Sequence, residues 1–303
     1  VGSAHGFGAD TVKATVDSVA VDSAAVDSME EKPKFKPYDE IITDEAATDS
    51  GVFVTHLVDE KLYYEIPRSE LGRLFLWVTQ IAENQTGKGF GGQAVNSQVV
   101  RWERRIDRVL LRRIQYESVA AESLAVYEAV SAATYPPILA AFEIETFGED
   151  SSLVIDVTEF FTSDVPEFSP KEVVKGKELD GDRSFIERVR SFDENIETRA
   201  ILTFEAEKAG DRRLSTVSVV VHHSMVHLPK NPMMPRLEDS RVGFFSVYQT
   251  DYGLDVHRAE RRSYITRWRL EKKHPGRRMS EPVKPIVFYV DRTVPEKWRP
   301  YIA

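Results

Sequence analysis

Short runs of β-branched and aromatic residues, separated by brief polar turns, recur along this chain and restrict its fold more than any other feature. Gly51–Val58 and Lys61–Ile66 are two such runs around Asp59-Glu60. They predict a hairpin that Pro67 ends. Leu74–Ile81 is strongly apolar and predicts a strand buried on both faces. Val99–Tyr116 is ambiguous. Its apolar positions Trp102, Ile106, Val109, Leu110 and Ile114 fit one helix face, and equally two strands turning near Arg105–Asp107. β-Branched residues and Trp in both arms favour the hairpin. Glu122–Ala133 is Ala-rich, lacks Gly and Pro, and is stopped by Pro136-Pro137, which predicts a helix. Ile138–Phe147 returns to strand. Ser184–Asn195 predicts a second helix, with Ser184 as N-cap and Glu187 three residues on. Arg199–Ala206 and Leu214–His227 predict paired strands around a turn at Lys208–Asp211. Val242–Thr250, Tyr264–Glu271 and Ile286–Val290 follow as further strands. The expected fold class is α+β: predominantly antiparallel β-sheet with a few short helices.

Residues 1–36 differ from this pattern. Val-Asp-Ser recurs at Val16–Ser18, Val21–Ser23 and Val26–Ser28, and large apolar residues are almost absent before Phe35. Such a segment buries too little surface to offset its ordering entropy. It reads as an acidic low-complexity tail over 1–40, ahead of a β-rich body over 41–303 with a candidate division near 150–200. An adhesive repeat would need more copies. Residues 1–50 hold eleven Asp/Glu and four Lys, a balance of −7, so the other 253 residues sum to −2 of the total −9. That balance gives no electrostatic case for nucleic acid or an anionic membrane. No apolar run is long enough for a transmembrane segment. The chain starts at Val1 without a basic-then-apolar leader, so any signal peptide is expected to have been removed or left out. The lack of cysteine rules out disulfides, thiolate metal sites and thiol nucleophiles.

His223-Ser-Met-Val-His227 has the histidine spacing of H-E-x-x-H, but Ser224 stands where the general-base Glu belongs. The surrounding β-branched run predicts a strand, which would separate the two rings by about 13 Å. One zinc needs ligand bonds of about 2 Å. His223 and His227 are therefore rejected as metal ligands, and no catalytic or cofactor-binding residue is assigned. Gly87–Gly92 matches no nucleotide-binding pattern and reads as a hairpin connection. Arginines cluster at Arg101, Arg104, Arg105, Arg108, Arg112 and Arg113, and again at Arg258, Arg261, Arg262, Arg267 and Arg269. They suit either an anionic partner or ordinary pairing with nearby carboxylates, and the second is favoured. Gly-x-Ser-x-Gly is absent. A glycosidase-type carboxylate pair is neither supported nor excluded.

Several blocks carry a family resemblance. The earlier ones include Leu62–Pro67, Val99–Glu103, Val154–Thr158 and His223–Pro229. The more specific ones are Pro232–Arg236, Asp239–Phe245, Arg267–Lys272, Ser280–Tyr289 and Pro295–Tyr301. Together they resemble the N-terminal, non-catalytic region of bacterial zinc-dependent metalloproteases of the met-zincin group, over roughly residues 40–303. The resemblance implies an exported protein, periplasmic, outer-membrane-associated or secreted. It also implies a zinc site in a downstream catalytic domain and none in these residues. The expected partner is that catalytic domain, with other envelope proteins as further candidates. Trp298, Tyr301, Arg236 and Arg241 are the candidate contact residues. The alternative is a β-rich binding or assembly module that docks onto other proteins after processing. A self-contained hydrolase would need a cleft with paired acids.

Overall fold

The structure is a computed structural model that describes residues 35–206, 215–254 and 258–302. The Val-Asp-Ser repeats and the Lys208–Asp211 turn lie outside those residues. The first strands follow the alternation of the sequence: β1 (Ala47–Ser50), β2 (Val54–Val58), β3 (Lys61–Ile66), β4 (Leu74–Asn84), β5 (Ala94–Arg105), β6 (Arg108–Ile114) and the short β7 (Ser118–Val119). Next come β8 (Ile138–Phe147), β9 (Leu153–Asp156), β10 (Gly176–Leu179), β11 (Phe185–Ser191), β12 (Asn195–Ala206) and β13 (Thr216–His227). β14 (Ser246–Asp251) and β15 (Glu260–Ile265) complete the strands. Four short helices punctuate them: α1 (Tyr38–Ile41), α2 (Val126–Ala133), α3 (Thr158–Thr162) and α4 (Lys171–Val174). The α+β, mainly antiparallel class is the observed one.

Twelve strands form one sheet in the order β1-β2-β3-β9-β8-β6-β5-β4-β13-β12-β10, with β11 also paired to β12. The sheet curls until its two ends meet. Val52 N donates to Phe192 O at 2.8 Å, and Ser191 Oγ donates to Phe53 O at 2.7 Å. Gly51 allows this approach, because a Cβ there would lie 2.5 Å from the Phe192 backbone. The result is a barrel-like closure around one aromatic core. Phe53, Tyr64, Phe75, Trp77, Trp102 and Phe142 come from strands or strand ends all round it, and α3 inserts Phe160 and Phe161. Edge-to-face pairs dominate, such as Phe53–Trp102 at 6.1 Å and Trp77–Phe160 at 5.6 Å. A second cluster continues the inward faces of β4, β12 and β13 through Ile81, Phe204 and Val219 to Val174 of α4.

The β2–β3 and β5–β6 hairpins turn where the sequence predicts. Both turns use a non-glycine residue at positive φ, Asp59 at 53° and Ile106 at 55°. β4 differs from expectation. It is not buried on both faces: Phe75, Trp77, Thr79 and Ile81 point inward and are buried, while Leu74, Leu76, Val78 and Gln80 are half-buried outside. The predicted helix at Ser184–Asn195 is a correction, because this stretch is strand β11, paired along β12 from Phe185↔Ile201 to Ser191↔Ile196. Pairing to a long neighbour overrides local helix signals. Ser184 does cap, but at the end of the short 3₁₀ turn Gly181–Arg183. Its Oγ donates to Asp180 O at 2.7 Å and accepts from Thr203 N at 3.2 Å. Glu187 bridges Arg199 at 2.7 Å instead of reaching back along the chain.

Beyond β13 the architecture changes. β14 and β15 pair with each other, and β14 pairs with β7, in a separate three-stranded sheet. The expected strand at Ile286–Val290 is absent, and that segment joins no sheet. Tyr264–Glu271 is strand only to Ile265, and Val242–Thr250 only from Ser246. From Leu228 to Ile302 no hydrophobic residue joins the core among the described residues. This stretch is called the arm below.

Candidate functional site

The histidines of β13 define what the barrel can do chemically. His223 points inward. Its Nδ1 accepts from Trp77 Nε1 at 3.2 Å and lies 3.2 Å from Thr79 Oγ1. Trp donates only, so Nδ1 is the acceptor and the ring proton sits on Nε2. Burial, with a smaller push from His222, lowers the His223 pKa to about 3. It is therefore a neutral core imidazole, walled by Phe161 and Phe168. His227 lies at the strand end, stacked on Phe75 at 4.7 Å, with Nε2 2.6 Å from Glu70 Oε2. Arg73 holds the same carboxylate at 3.0 Å. The two histidines thus serve separate partners, on a strand as expected. Among the described residues no group of three or more His, Asp or Glu is placed to hold a metal.

The opposite face of β13 carries a polar cluster that the sequence reading missed. Glu197 accepts from Ser224 Oγ at 2.7 Å and Asn195 Nδ2 at 2.6 Å, and lies 2.5 Å from His222 Nε2. Gln80 Nε2 meets His222 Nδ1 at 3.1 Å. Burial pushes the Glu197 carboxyl up, but its hydrogen bonds from His222, Ser224 and Asn195 outweigh that and leave it below the ordinary value. The residue types are those of a serine hydrolase, but their order is wrong. The carboxylate stands between hydroxyl and imidazole, so His222 cannot take the Ser224 proton. Only the cross-strand register Glu197↔Ser224 reveals this cluster, and sequence spacing carries no sign of it.

Other sequence candidates resolve into ordinary roles. Gly87–Gly92 connects β4 to β5, with Gly87, Gly89 and Gly92 at positive φ. In the first arginine cluster Arg101 and Arg112 both bond Glu103 at 2.7 Å, and Arg108 bonds Glu143 at 3.0 Å. In the second, Arg262 meets Asp251 at 3.5 Å and Arg269 meets Glu271 at 2.8 Å. Glu143, Glu145, Asp156 and Glu159 line an open concavity of 570 Å³, where Lys61 lies 3.7 Å from Asp156.

The arm is the surface without a comparable explanation. Phe245 is 89% exposed, Tyr289 94%, Tyr301 82% and Trp298 53%. Trp298 and Tyr301 lie together at 6.2 Å, and Lys297 sits over the indole at 5.2 Å. Arg236 is exposed, and its carbonyl accepts from Ile265 N. Arg241 is exposed and bonds Asp239 at 2.8 Å. A concavity of 900 Å³ runs between the outer face of the barrel at Leu74, Leu76 and Val99 and the arm at Met233, Tyr248 and Tyr264. Charge follows the same division. Residues 35–227 hold 34 Asp/Glu against 21 Lys/Arg, a balance of −13, while residues 228–303 hold 9 against 16, a balance of +7. Arg241, Arg262 and Arg269 pair within the arm.

Residues 92–273 match the family model described as "Domain of unknown function (DUF5117)", which spans more than half of the chain. The chain belongs to this family. Residues 35–84 match a second model, "Domain of unknown function (DUF5118)". No curated protein and no solved structure matches the chain. No helix among the described residues is long and apolar enough to cross a membrane.

Proposed function

We propose that this DUF5117-family chain is the non-catalytic N-terminal portion of an exported bacterial zinc-dependent metalloprotease. Its barrel is a scaffold, and its arm is the seat for a downstream peptidase domain that binds the zinc. The observation that carries this reading is the arm itself. It holds a defined path with exposed Phe, Tyr and Trp side chains and, among the described residues, no core residue. Fixing a residue's backbone costs about 1–2 kcal/mol, and burial normally offsets it. Apolar exposure on this scale marks a surface that a partner covers. The most specific blocks of the family resemblance, Pro232–Arg236 through Pro295–Tyr301, also fall on the arm. The barrel's polar groups are instead engaged with one another, as in the Glu197 and His223 environments. On this reading the arm positions the peptidase domain and shapes substrate access, and residues 1–303 alone hydrolyse nothing.

The test is to purify the gene product intact and compare it with residues 1–303. The expected result is chelator-sensitive peptide hydrolysis with bound zinc in the intact product, and neither in residues 1–303. In the intact product, Phe288→Glu with Tyr289→Glu should lower hydrolysis severalfold and leave the melting of the barrel unchanged. A gene product that ends at Ala303, or zinc-dependent hydrolysis by residues 1–303, would sink the proposal.

A further inference from the structure

The two family models meet between residues 84 and 92, in the glycine connection between β4 and β5. Those strands are neighbours in one sheet. β4 pairs with β5 from Leu74↔Arg101 to Gln80↔Ala94, and with β13 from Phe75↔His227 to Asn84↔Val219. It is thus a central strand, and both of its partners come from the other segment. β3 pairs on its outer side with β9, from Tyr63↔Asp156 to Ile66↔Leu153.

We infer that residues 35–84 and 92–273 form a single obligate folding unit. The slot between β5 and β13 is an interaction surface whose partner is the strand β4. The fit is specific. β4 presents Phe75, Trp77, Thr79 and Ile81 inward at alternate positions, all buried. Trp77 packs on Phe168 at 4.8 Å and on Phe161 at 5.9 Å, and donates to His223. Tyr64 of β3 reaches Thr198 of β12 at 2.8 Å, and Leu62 N donates to Thr158 Oγ1 at 2.8 Å. Without residues 35–84, β5 and β13 each expose an unpaired edge and the core loses four of its largest aromatic side chains, Phe53, Tyr64, Phe75 and Trp77. Residues 35–84 alone retain little more than β1–β3, a meander with no sheet behind it. Such a piece is marginal in water. Neither family segment therefore completes the main aromatic core alone, although each is recognised separately.

The glycine connection permits a direct test on the whole chain. Phe90 is exposed, and nothing crowds Gly87 or Gly92. A protease site inserted between Gly89 and Phe90 lets the folded chain be cut into 1–89 and 90–303. The expected result is that the cut halves co-elute as one species and keep the near-ultraviolet circular dichroism of the tryptophan core. Separated in urea and diluted singly, each half should lose that signal, and mixing should restore it. The uncut insertion chain, refolded in parallel, controls for refolding itself. Co-expressing tagged 1–89 with untagged 90–303 asks the same question without an insertion: the tag should retain both. Trp77→Ala in the short half should weaken recapture by at least about tenfold. Halves that part without denaturant, or a lone 90–303 with a native spectrum and a cooperative melt, would overturn the inference.

Discussion

The barrel and the arm are built from the same residue types and use them in opposite ways. In the barrel, Trp77 and Trp102 are buried and their indole N–H groups reach His223 and Met225 Sδ. In the arm, Trp268 and Trp298 are exposed. The barrel's balance is −13 and the arm's is +7. The barrel's sheet closes on itself, so its strands find partners within the chain. Among the described residues the arm has one hairpin, β14–β15, two isolated bridges, Leu237↔Tyr264 and Lys272↔Pro282, and the 3₁₀ turn Glu296–Tyr301. The difference separates two kinds of information in one sequence. Inward-facing apolar positions build the barrel's core, whereas the arm's aromatics stay exposed among cations, the surface that the proposed function assigns to a partner.

Paired truncations break the comparison most sharply. Trp77→Ala should cost about 3–5 kcal/mol, because it opens a cavity in a close-packed core. Trp268→Ala should stay within about 0.5 kcal/mol, as for an exposed site. Urea unfolding followed by far-ultraviolet circular dichroism measures both. Equal losses would erase the distinction.

Acid gives the next largest difference. The His223 pKa is lowered to about 3 in the fold, against 6.5 for the free side chain. The unfolded chain therefore binds a proton that the native chain refuses. This contribution is complete above pH 6.5 and is lost as pH falls from 6.5 towards 3, by about 1.4 kcal/mol per unit. The Glu65 carboxyl, hydrogen-bonded by His56, Ser152 and Tyr38, and the Glu197 carboxyl are both lowered from 4.5, so their stabilisation is present above 4.5 and lost below it. Urea midpoints at several pH values between 4.5 and 6.5, compared between the parent chain and His223→Gln, isolate the histidine. His223→Gln, which can still accept from Trp77, should flatten the slope in that window, and a substitution in the arm should not. A slope unchanged by His223→Gln would refute the buried-imidazole assignment.

These two contrasts show what was legible beforehand. The strands β4, β12 and β13 announce themselves by their β-branched and apolar runs, and the hairpins by their polar turns, but which face of β4 is buried does not, because Leu74–Val78 is apolar on both. The strand placement of His223 and His227 followed from the β-branched run around them. Closure of the sheet was not legible. It depends on Gly51 meeting Phe192 across a long sequence separation. Nor was β11, whose helix-like Ser184–Glu187 signal yields to its ladder with β12. The Glu197–His222–Ser224 cluster exists only in the register of two strands. The arm was half legible. Its motifs were visible, but a net charge taken over residues 51–303 cancels +7 against the barrel and hides the polarity.

The smallest effect concerns a local strain in the barrel. Ile106 is β-branched and 78% exposed, yet sits at φ 55° in the β5–β6 turn. That conformation disfavours a branched Cβ. Ile106→Asn should stabilise the barrel by about 0.5–1 kcal/mol, read from the same urea midpoints. A loss of stability would mean that the turn is not strained.

The central claim, a self-sufficient barrel beside an arm that awaits a partner, is tested most directly by amide hydrogen exchange on residues 1–303 and on the intact gene product. The account predicts slow exchange along β4, β12 and β13 in both. It predicts fast exchange in the arm outside the β14–β15 hairpin, over 266–302 above all, in the shorter chain and protection of the same amides in the intact product. Arm amides as protected in the shorter chain as those of the barrel, or unprotected in both, would contradict it.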